Sequence, residues 1–421
     1  MGGALMQLIA YGEQDIHLTG NPEITYFKKI FKKYTNFSIE TIKQKIENSI
    51  NFGSTISTII SRKGDLISNL FIKLNLPAPT SVISATNSNY KNWVNNIGYA
   101  LFEKITLKIG GQTIDTHYGE YYDILSEFED QQNINYFLSG KRLNNRSLEF
   151  NNNKSSNYYI PLKFWFCQNI GSSLPIIALQ NTDIKLELKL RKLESLITTD
   201  GSNISVSTKL KPSNLEIYAD YIFLDDIERQ KFAQSSHQYL IQQVQLTKQN
   251  KLSSGTNNVN LDFNFPVKEL FWIFRHKNRA VETTTPSLNF ENGDINGNDW
   301  FNYSSNIENT NLGVGTFDVF SKANIMFNGH DRFSMMSADY FRTYVPYLYR
   351  KIIPNKMIYC YSFCLEPKLN QPSGSANMSR INSKKLVLKN VVSSDFEILV
   401  FAINYNILNI KGGVAEIKYQ N

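Results

Sequence analysis

The side chains that most often perform catalysis or bind metals are few in this sequence, and their spacing matches no catalytic motif. The chain has five histidines and three cysteines. No two histidines form a His-x-His pair, so a histidine-based metal site is not indicated. The sequence also lacks the G-x-S-x-G pattern of a nucleophile elbow and the G-x-x-x-x-G-K-[ST] pattern of a phosphate-binding loop. We therefore predict no catalytic residue, no metal site and no cofactor.

The three cysteines, Cys167, Cys360 and Cys364, are predicted to be buried free thiols. Their low and odd number argues against a disulfide framework and favours a reducing compartment. Cys360 and Cys364 would lie on one face of a strand, but no set of histidines or further cysteines lies near them. Core packing, in which free cysteine is common, explains them better than a metal site.

Clustered carboxylates are a second group that could perform acid–base chemistry. Asp225 and Asp226 are adjacent, and Glu127, Glu129 and Asp130 lie close together. Acidic side chains at helix starts and on surfaces usually cap helices or face water. We therefore predict no catalytic role for either group.

The strongest charge feature is a set of lysine pairs near the N-terminus, formed by Lys28, Lys29, Lys32 and Lys33. The pairs flank an apolar stripe at helical spacing, which predicts a basic amphipathic helix over residues 24–34. One interpretation is that the stripe packs on the rest of the protein while the lysines face water. The other is that the helix contacts an internal partner or an acidic lipid surface.

A long polar loop, 281–315, contains the aromatic residues Trp300, Phe301 and Tyr303. Its richness in Asn, Thr and Gly predicts a solvent-facing segment. Exposed rings of this kind would serve a carbohydrate-binding or receptor-binding protein, which is the alternative function from a different class. An enzyme is disfavoured because the motifs for metal ligands and nucleophiles are missing.

The composition predicts a folded, strand-rich protein. Of 421 residues, 42% are hydrophobic and 19% are charged, and the formal net charge is +7. This hydrophobic share can supply a substantial core, which excludes intrinsic disorder. The mild positive charge is far from that of a nucleic-acid-coating tail, so we predict no direct sequence-specific nucleic acid binding. Apolar runs are much shorter than the ~20 residues of a bilayer-spanning helix, and we expect no signal peptide.

Alternation of apolar and polar residues dominates the chain beyond its N-terminal segment. Examples are residues 66–76, 100–111, 183–190, 268–275 and 395–408. A period of two residues is typical of strands, whose successive side chains point to opposite faces. Many short strands separated by turn residues, without regular strand–helix alternation, favour a sandwich or jelly roll over a parallel sheet.

The two halves of the chain resemble each other weakly. A strand within 107–115 ends in Gly-Gly, and a strand within 325–333 ends in Asn-Gly. Residues 219–225 also resemble residues 403–409, again with one copy in each half. Matched features in the same order predict a duplicated β unit that is split near residue 225.

This organisation predicts four segments and a few short helices. The segments are an N-terminal segment with the basic helix (1–35), a first β domain (36–225), a connector helix (226–241) and a second β domain (242–421). The connector begins with a capping-box-like pattern at Asp225 and Glu228. Further short helices are predicted over 119–128 and 337–344.

Several blocks of the sequence resemble the major capsid proteins of nucleocytoplasmic large DNA viruses. They span nearly the whole chain in the order found in that family: 6–40, 61–77, 159–186, 218–245, 268–275, 328–333 and 372–381. The resemblance implies an all-β double jelly roll, built from two tandem eight-stranded antiparallel sandwiches with a few short helices. The chain departs from the family pattern at Asn181 and Thr182, where an aromatic residue and a histidine are usual.

The resemblance also implies a function. It implies a structural virion protein, without enzymatic activity, that forms homotrimers, and these pseudo-hexagonal capsomers tile an icosahedral shell. The implied partners are other copies of the chain, neighbouring capsomers and minor capsid proteins, and an internal membrane is a further partner that the resemblance allows. It places the protein in the virion capsid after synthesis in the host cytoplasm, with its N-terminal segment facing the interior. A less abundant capsid paralogue is an alternative within the same family.

Overall fold

The computed structural model describes residues 2–86, 91–129, 138–141, 156–199, 202–206, 215–277, 298–305 and 318–420. The chain divides into two compact units, Met1–Asn36 and Phe37–Asn421. Most of the loop predicted to be exposed, 281–315, lies outside the described residues, which include its residues 298–305.

The N-terminal unit contains two short helices, Gly3–Ile9 and Glu13–Thr19. The prediction of a helix over 24–34 is wrong, because this stretch has a short turn and is otherwise irregular. Residues 2–36 are exposed throughout, and Phe27 is 98% exposed. An isolated helix of this length is marginal in water, and here no buried apolar face stabilises it.

The described strands of the first half cover residues 37–224. They are β1 (Phe37–Gln44), β2 (Thr55–Ile59), β3 (Leu66–Leu76), β4 (Ile83–Thr86), β5 (Lys91–Trp93), β6 (Phe102–Ile109), β7 (Gln112–His117), β8 (Ser156–Pro161), β9 (Leu174–Pro175), β10 (Ile184–Leu190), β11 (Ile197–Thr199), β12 (Ser202–Val206) and β13 (Leu215–Leu224).

The described strands of the second half cover residues 237–417. They are β14 (His237–Gln249), β15 (Gly255–Asn260), β16 (Pro266–His276), β17 (Lys322–Phe327), β18 (His330–Asp331), β19 (Met336–Ser337), β20 (Tyr359–Ser362), β21 (Ala376–Asn377), β22 (Lys384–Val391), β23 (Phe396–Lys411) and β24 (Val414–Ile417).

The two halves have the same sheet order, which confirms the duplication. In the first half the two main sheets run β1-β13-β3-β8 and β2-β10-β6-β7. In the second half the corresponding orders are β14-β23-β16-β20 and β15-β22-β17-β18. Even an irregularity recurs, because the pairing of β3 with β13 skips Ser68 and the pairing of β16 with β23 skips Lys268. Each half is therefore an antiparallel jelly roll of eight principal strands, and the predicted fold class is confirmed.

Hairpin turns and alternation explain why these segments form strands. Gly110 and Gly111 join β6 to β7, and Asn328 and Gly329 join β17 to β18, all with positive φ. These are the residue types that tight hairpins with left-handed backbone require. Along β10 the apolar residues are buried and the charged residues between them are more exposed, as their alternation predicts.

Helices join the strands at a few points. The helix Gly119–Glu127, here called the first-half helix, confirms the prediction over 119–128. The predicted fourth helix is the π-helical turn Tyr340–Tyr344 continued by the α-helix Val345–Arg350, together called the second-half helix. The shorter helices in the described part of the chain are Pro79–Val82, Ile97–Ala100, Trp165–Gln168, Ile170–Ser172, Ile176–Ala178, Leu193–Leu196 and Met378–Arg380.

The connector helix is shorter than predicted. It covers Asp226–Gln234, and β14 already begins at His237, so the predicted extent to residue 241 is wrong. The physical reason is that every residue of β14 pairs with β23. In this long ladder the backbone N–H and C=O groups of residues 237–241 hydrogen-bond as part of a strand, so these residues do not extend the helix.

The three cysteines are free thiols. Cys360 and Cys364 are buried, and Cys167 is partly buried.

Among the described residues, none of the helices has the length and apolar character needed to cross a bilayer.

Candidate functional site at the junction of the two sandwiches

The two sandwiches meet where the first-half helix lies against the β14-β23-β16 sheet. Tyr121 packs its ring 6.1 Å from that of Phe401, and Phe128 packs 5.5 Å from Phe271, measured between ring centroids. Because this contact covers the outer face of the sheet, β16 and the first eleven residues of β23 are almost entirely buried on both faces. The junction is thus an apolar interface as well as a chain connection.

A buried ion cluster crosses this junction. Glu120 of the first-half helix accepts hydrogen bonds at Oε1 from Arg191 Nη2 and Arg275 Nη1, each at 2.7 Å. Arg275 belongs to the second sandwich and also donates from Nε to Glu397 Oε1 at 2.7 Å. Burial by itself would raise the pKa of Glu120, but the charges of Arg191 and Arg275 outweigh it and hold the pKa below its ordinary value.

A second buried cluster surrounds Asp123, one turn along the same helix. Lys356 Nζ donates to both carboxylate oxygens, at 2.6 and 2.8 Å. Tyr303 donates its hydroxyl to Oδ2 at 2.8 Å, and Asn96 donates its amide to Oδ1 at 2.8 Å. Burial and the Asp123 charge raise the pKa of Tyr303 well above its ordinary value, so this phenol stays a proton donor.

The prediction that Trp300, Phe301 and Tyr303 are exposed loop aromatics is wrong. They are 6%, 4% and 1% exposed and lie in the junction. Trp300 Nε1 donates to Ser195 O at 2.7 Å, and the Arg191 guanidinium lies 4.0 Å from the centroid of the Trp300 ring. The polar composition of the loop concealed that one short stretch of it inserts between the sandwiches, where aromatic rings bury the largest apolar area.

Sequence reasoning missed the charged residues that hold this junction. Glu120 and Asp123 stand inside a helix pattern with two tyrosines, an isoleucine and a leucine, and Arg275 ends the apolar run of β16. Charged residues within apolar stretches are a usable signal, since they are rarely buried without a partner. Which charge pairs with which could not be read from that signal.

A histidine–aspartate pair at the junction resembles part of a catalytic triad. His117 Nε2 lies 2.8 Å from Asp115 Oδ2, and His117 Nδ1 lies 3.1 Å from the Tyr122 hydroxyl. Asp115 Oδ1 accepts the backbone N–H of Val244 at 2.9 Å, so the carboxylate links β7 to β14. Each ring nitrogen lies next to one of these two side chains, neither of which is a serine or cysteine nucleophile, so the pair fits a structural role.

Asn181 and Thr182, the two positions where the sequence departs from the pattern it otherwise resembles, also lie between the sandwiches. The Asn181 backbone N–H and the Thr182 hydroxyl donate to the Gly413 carbonyl, at 3.1 and 2.6 Å. Gly413 has a φ of 83° and ends the turn before β24. These two residues therefore contribute to the junction.

The remaining predicted site residues lie in the N-terminal unit, away from any helix. Lys28, Lys29, Lys32 and Lys33 are exposed in the N-terminal unit. Among the described residues, no three His, Cys, Asp or Glu side chains are grouped so that they could hold a metal ion.

Comparison with known proteins places the whole chain in one family. Residues 25–225 match the family described as the major capsid protein N-terminus, and residues 228–416 match the large eukaryotic DNA virus major capsid protein. The chain is 33% identical over 449 residues to the major capsid protein of Pyramimonas orientalis virus, with full coverage of both chains. It is also 33% identical over 457 residues to the major capsid protein of Paramecium bursaria Chlorella virus 1, again with full coverage.

Solved structures agree with these relationships. A chain of the PBCV-1 virus capsid matches with a TM-score of 0.74 and 30% identity, over 94% of this chain and 100% of that one. The Faustovirus major capsid protein matches with a TM-score of 0.72 at 14% identity, over 97% of this chain and 96% of that one, and supports the fold alone. The chain therefore belongs to the family of major capsid proteins of large eukaryotic DNA viruses and is a structural capsid protein.

Proposed function

We propose that the protein is the subunit of a homotrimeric capsomer that tiles an icosahedral shell. The observation that carries this proposal is the identical sheet order of the two sandwiches. A cyclic trimer of such a chain presents two similar sandwiches from each of three copies around one axis. A block with this near-hexagonal outline fills a flat lattice with one repeated set of contacts. The partners of each chain are then the two other copies in its trimer and the neighbouring capsomers.

The capsomer role involves no catalytic step. The charged groups of the junction are paired with one another and buried, as an interface held in one geometry requires. The buried positions of Trp300, Phe301 and Tyr303 remove the feature that favoured carbohydrate or receptor binding. A less abundant paralogue would form the same trimer and occupy the same shell. Synthesis in the reducing host cytoplasm suits a chain whose three cysteines are free thiols.

The oligomeric state of the purified protein tests the proposal. We expect size-exclusion chromatography with light scattering to give a mass close to three times 48.4 kDa. An obligate trimer should also keep this mass on dilution, because such interfaces bury a large area. A monomer at all concentrations would contradict the capsomer proposal.

We also propose that the N-terminal unit contacts the inner layer of the virion, either minor capsid proteins or an internal membrane. Its large apolar side chains are exposed, among them Phe27 and Phe31, and the lysines at positions 28, 29, 32 and 33 lie beside them. Exposed apolar groups next to lysines fit an anionic surface, where each lysine contributes about 1 kcal/mol of binding free energy.

Replacing Lys28, Lys29, Lys32 and Lys33 with Gln should weaken this attachment and make it less salt-sensitive. The measurement is co-sedimentation with vesicles of phosphatidylserine and phosphatidylcholine, and with the proteins of disrupted virions, at two salt concentrations. The matched control replaces four other exposed lysines with Gln: Lys63, Lys104, Lys322 and Lys411. The contact proposal fails if both variants bind equally, and loss of the trimer in the first variant would instead place the lysines in the contact between copies.

A further inference from the structure

A cavity of about 370 Å³ lies between the two sandwiches, beside the end of the first-half helix. This volume is within the range of small-molecule sites, about 300–1,000 Å³. The charged side chains that line it are four cations and one carboxylate: Lys163, Lys268, Arg350, Lys368 and Glu129. Among the described residues, the lining of this cavity is therefore strongly positive.

Lys268 contributes a buried ammonium group to this lining. The residue is 3% exposed, and its Nζ donates to Gln242 Oε1 at 2.8 Å and to the Pro367 carbonyl at 2.9 Å. An ammonium has three N–H groups, and these two acceptors are both neutral. Burying a charge is costly when no opposite charge binds it, and here the two hydrogen bonds supply none.

The fold itself does not require a lysine at this position. Lys268 is the residue of β16 that is skipped in the pairing with β23, and Ser68 is the skipped residue of β3 in the first sandwich. A skipped residue of this kind redirects a side chain and is frequent next to functional sites. Because the same irregularity forms around a small neutral side chain in the first half, the reason for the ammonium lies in the cavity.

The cations of the cavity also affect one another. Burial, and to a lesser extent the charge of Arg350, lowers the pKa of both Lys163 and Lys268 to about 8. Arg350 is bound by Glu269 on its other side, with Nε 2.8 Å from Oε1, and Lys163 forms an ion pair with Glu129. Both lysines are mostly charged at pH 7, and an anion between them would offset their repulsion.

We propose that this cavity binds a small oxyanion of the phosphate class, held by Lys163 and Lys268 and bridging the two sandwiches. Lys163 follows β8 of the first sandwich, whereas Lys268 belongs to β16 of the second, so one anion would add a charged link across the junction. Phosphate oxygens accept strong hydrogen bonds from ammonium groups. A free small molecule suits the recessed Lys268 better than a nucleic acid or a membrane does. The inference does not depend on the homotrimer.

Thermal melting of the purified protein at pH 7 tests this site. The probe is sodium pyrophosphate, and sodium chloride of equal ionic strength is the reference. A ligand that binds only the folded chain should raise the melting temperature by about 3 °C when its concentration is about 100 times the dissociation constant. Isothermal titration gives that constant. Adenosine monophosphate is measured in parallel, and tighter binding of one probe or the other distinguishes a phosphate ester from a free oxyanion.

Replacing Lys268 with Met should weaken pyrophosphate binding at least about tenfold, because a charge-assisted hydrogen bond is lost. The matched control is Lys384→Met. Lys384 Nζ also donates to two neutral oxygens, the carbonyls of Phe263 and Met378, each at 2.9 Å, but it does not line the cavity. The control should bind pyrophosphate as the wild type does. Circular dichroism identifies any variant that fails to fold.

Glu129→Gln gives a readout of the opposite sign. Removing the carboxylate beside Lys163 leaves that ammonium to the anion, so pyrophosphate should bind several-fold more tightly, a gain that misfolding does not produce. The inference is overturned if pyrophosphate stabilises the wild type no more than sodium chloride does. Equal affinity of the wild type, Lys268→Met and Glu129→Gln also overturns it. If Lys268→Met does not fold, the wild type and Glu129→Gln decide the outcome.

Discussion

Replacing Lys356 with Met is expected to lower the free energy of unfolding by about 3–5 kcal/mol, as when one partner of a buried ion pair is removed. Lys356 donates to both oxygens of Asp123, whose side chain has no solvent exposure. Tyr303 and Asn96, which also donate to this carboxylate, are neutral and do not compensate its charge in the variant. The measurement is urea unfolding of the purified protein, followed by fluorescence and circular dichroism.

The control for this prediction lies five residues away. Lys351 is exposed, and Lys351→Met should change the unfolding free energy by less than about 0.5 kcal/mol. Adding Asp123→Asn to Lys356→Met should recover part of the loss, because the amide carries no charge and still accepts hydrogen bonds. Equal midpoints for Lys356→Met and Lys351→Met would show that the Asp123 cluster does not hold the sandwiches together.

The second large effect is expected in the core of the first sandwich. Leu188 is fully buried in β10, between Ile56 of β2 and Ile105 of β6. Leu188→Ala should lower the free energy of unfolding by about 2–5 kcal/mol, through lost apolar transfer and the cavity that remains. Because β10 is a central strand with neighbours on both sides, little relaxation of the backbone is available to close that cavity.

The adjacent residue provides the comparison. Lys189 points to the opposite face of β10, and its side chain forms an exposed ion pair with Glu103 at 2.6 Å. Lys189→Ala should therefore change the unfolding free energy by no more than about 1 kcal/mol. Similar shifts of the urea midpoint for the two variants would mean that the two faces of this strand are assigned incorrectly.

Local sequence patterns determined the β architecture of this protein. Alternation along residues 183–190 identified which side chains of β10 are buried, because a strand has a side-chain period of two. Gly110-Gly111 and Asn328-Gly329 marked the hairpins at which the two halves correspond, since few other residues accept their positive φ. The duplication followed from these features, which depend on residues close together in the chain.

Only the tertiary structure decided which residues form the junction and which remain exposed. Arg275 is 155 residues from Glu120, and Lys356 is 233 residues from Asp123, so no local pattern couples them. A separation of 105 residues likewise concealed the burial of Trp300, whose partner carbonyl belongs to Ser195. In the stretch 24–34 the local pattern predicted a helix that the structure does not contain. Its apolar stripe would have to pack against an apolar surface to stabilise a helix, and its own compact unit provides none. Periodicity specifies which face of a segment is apolar, but the surface that buries this face is supplied by residues that are distant in sequence.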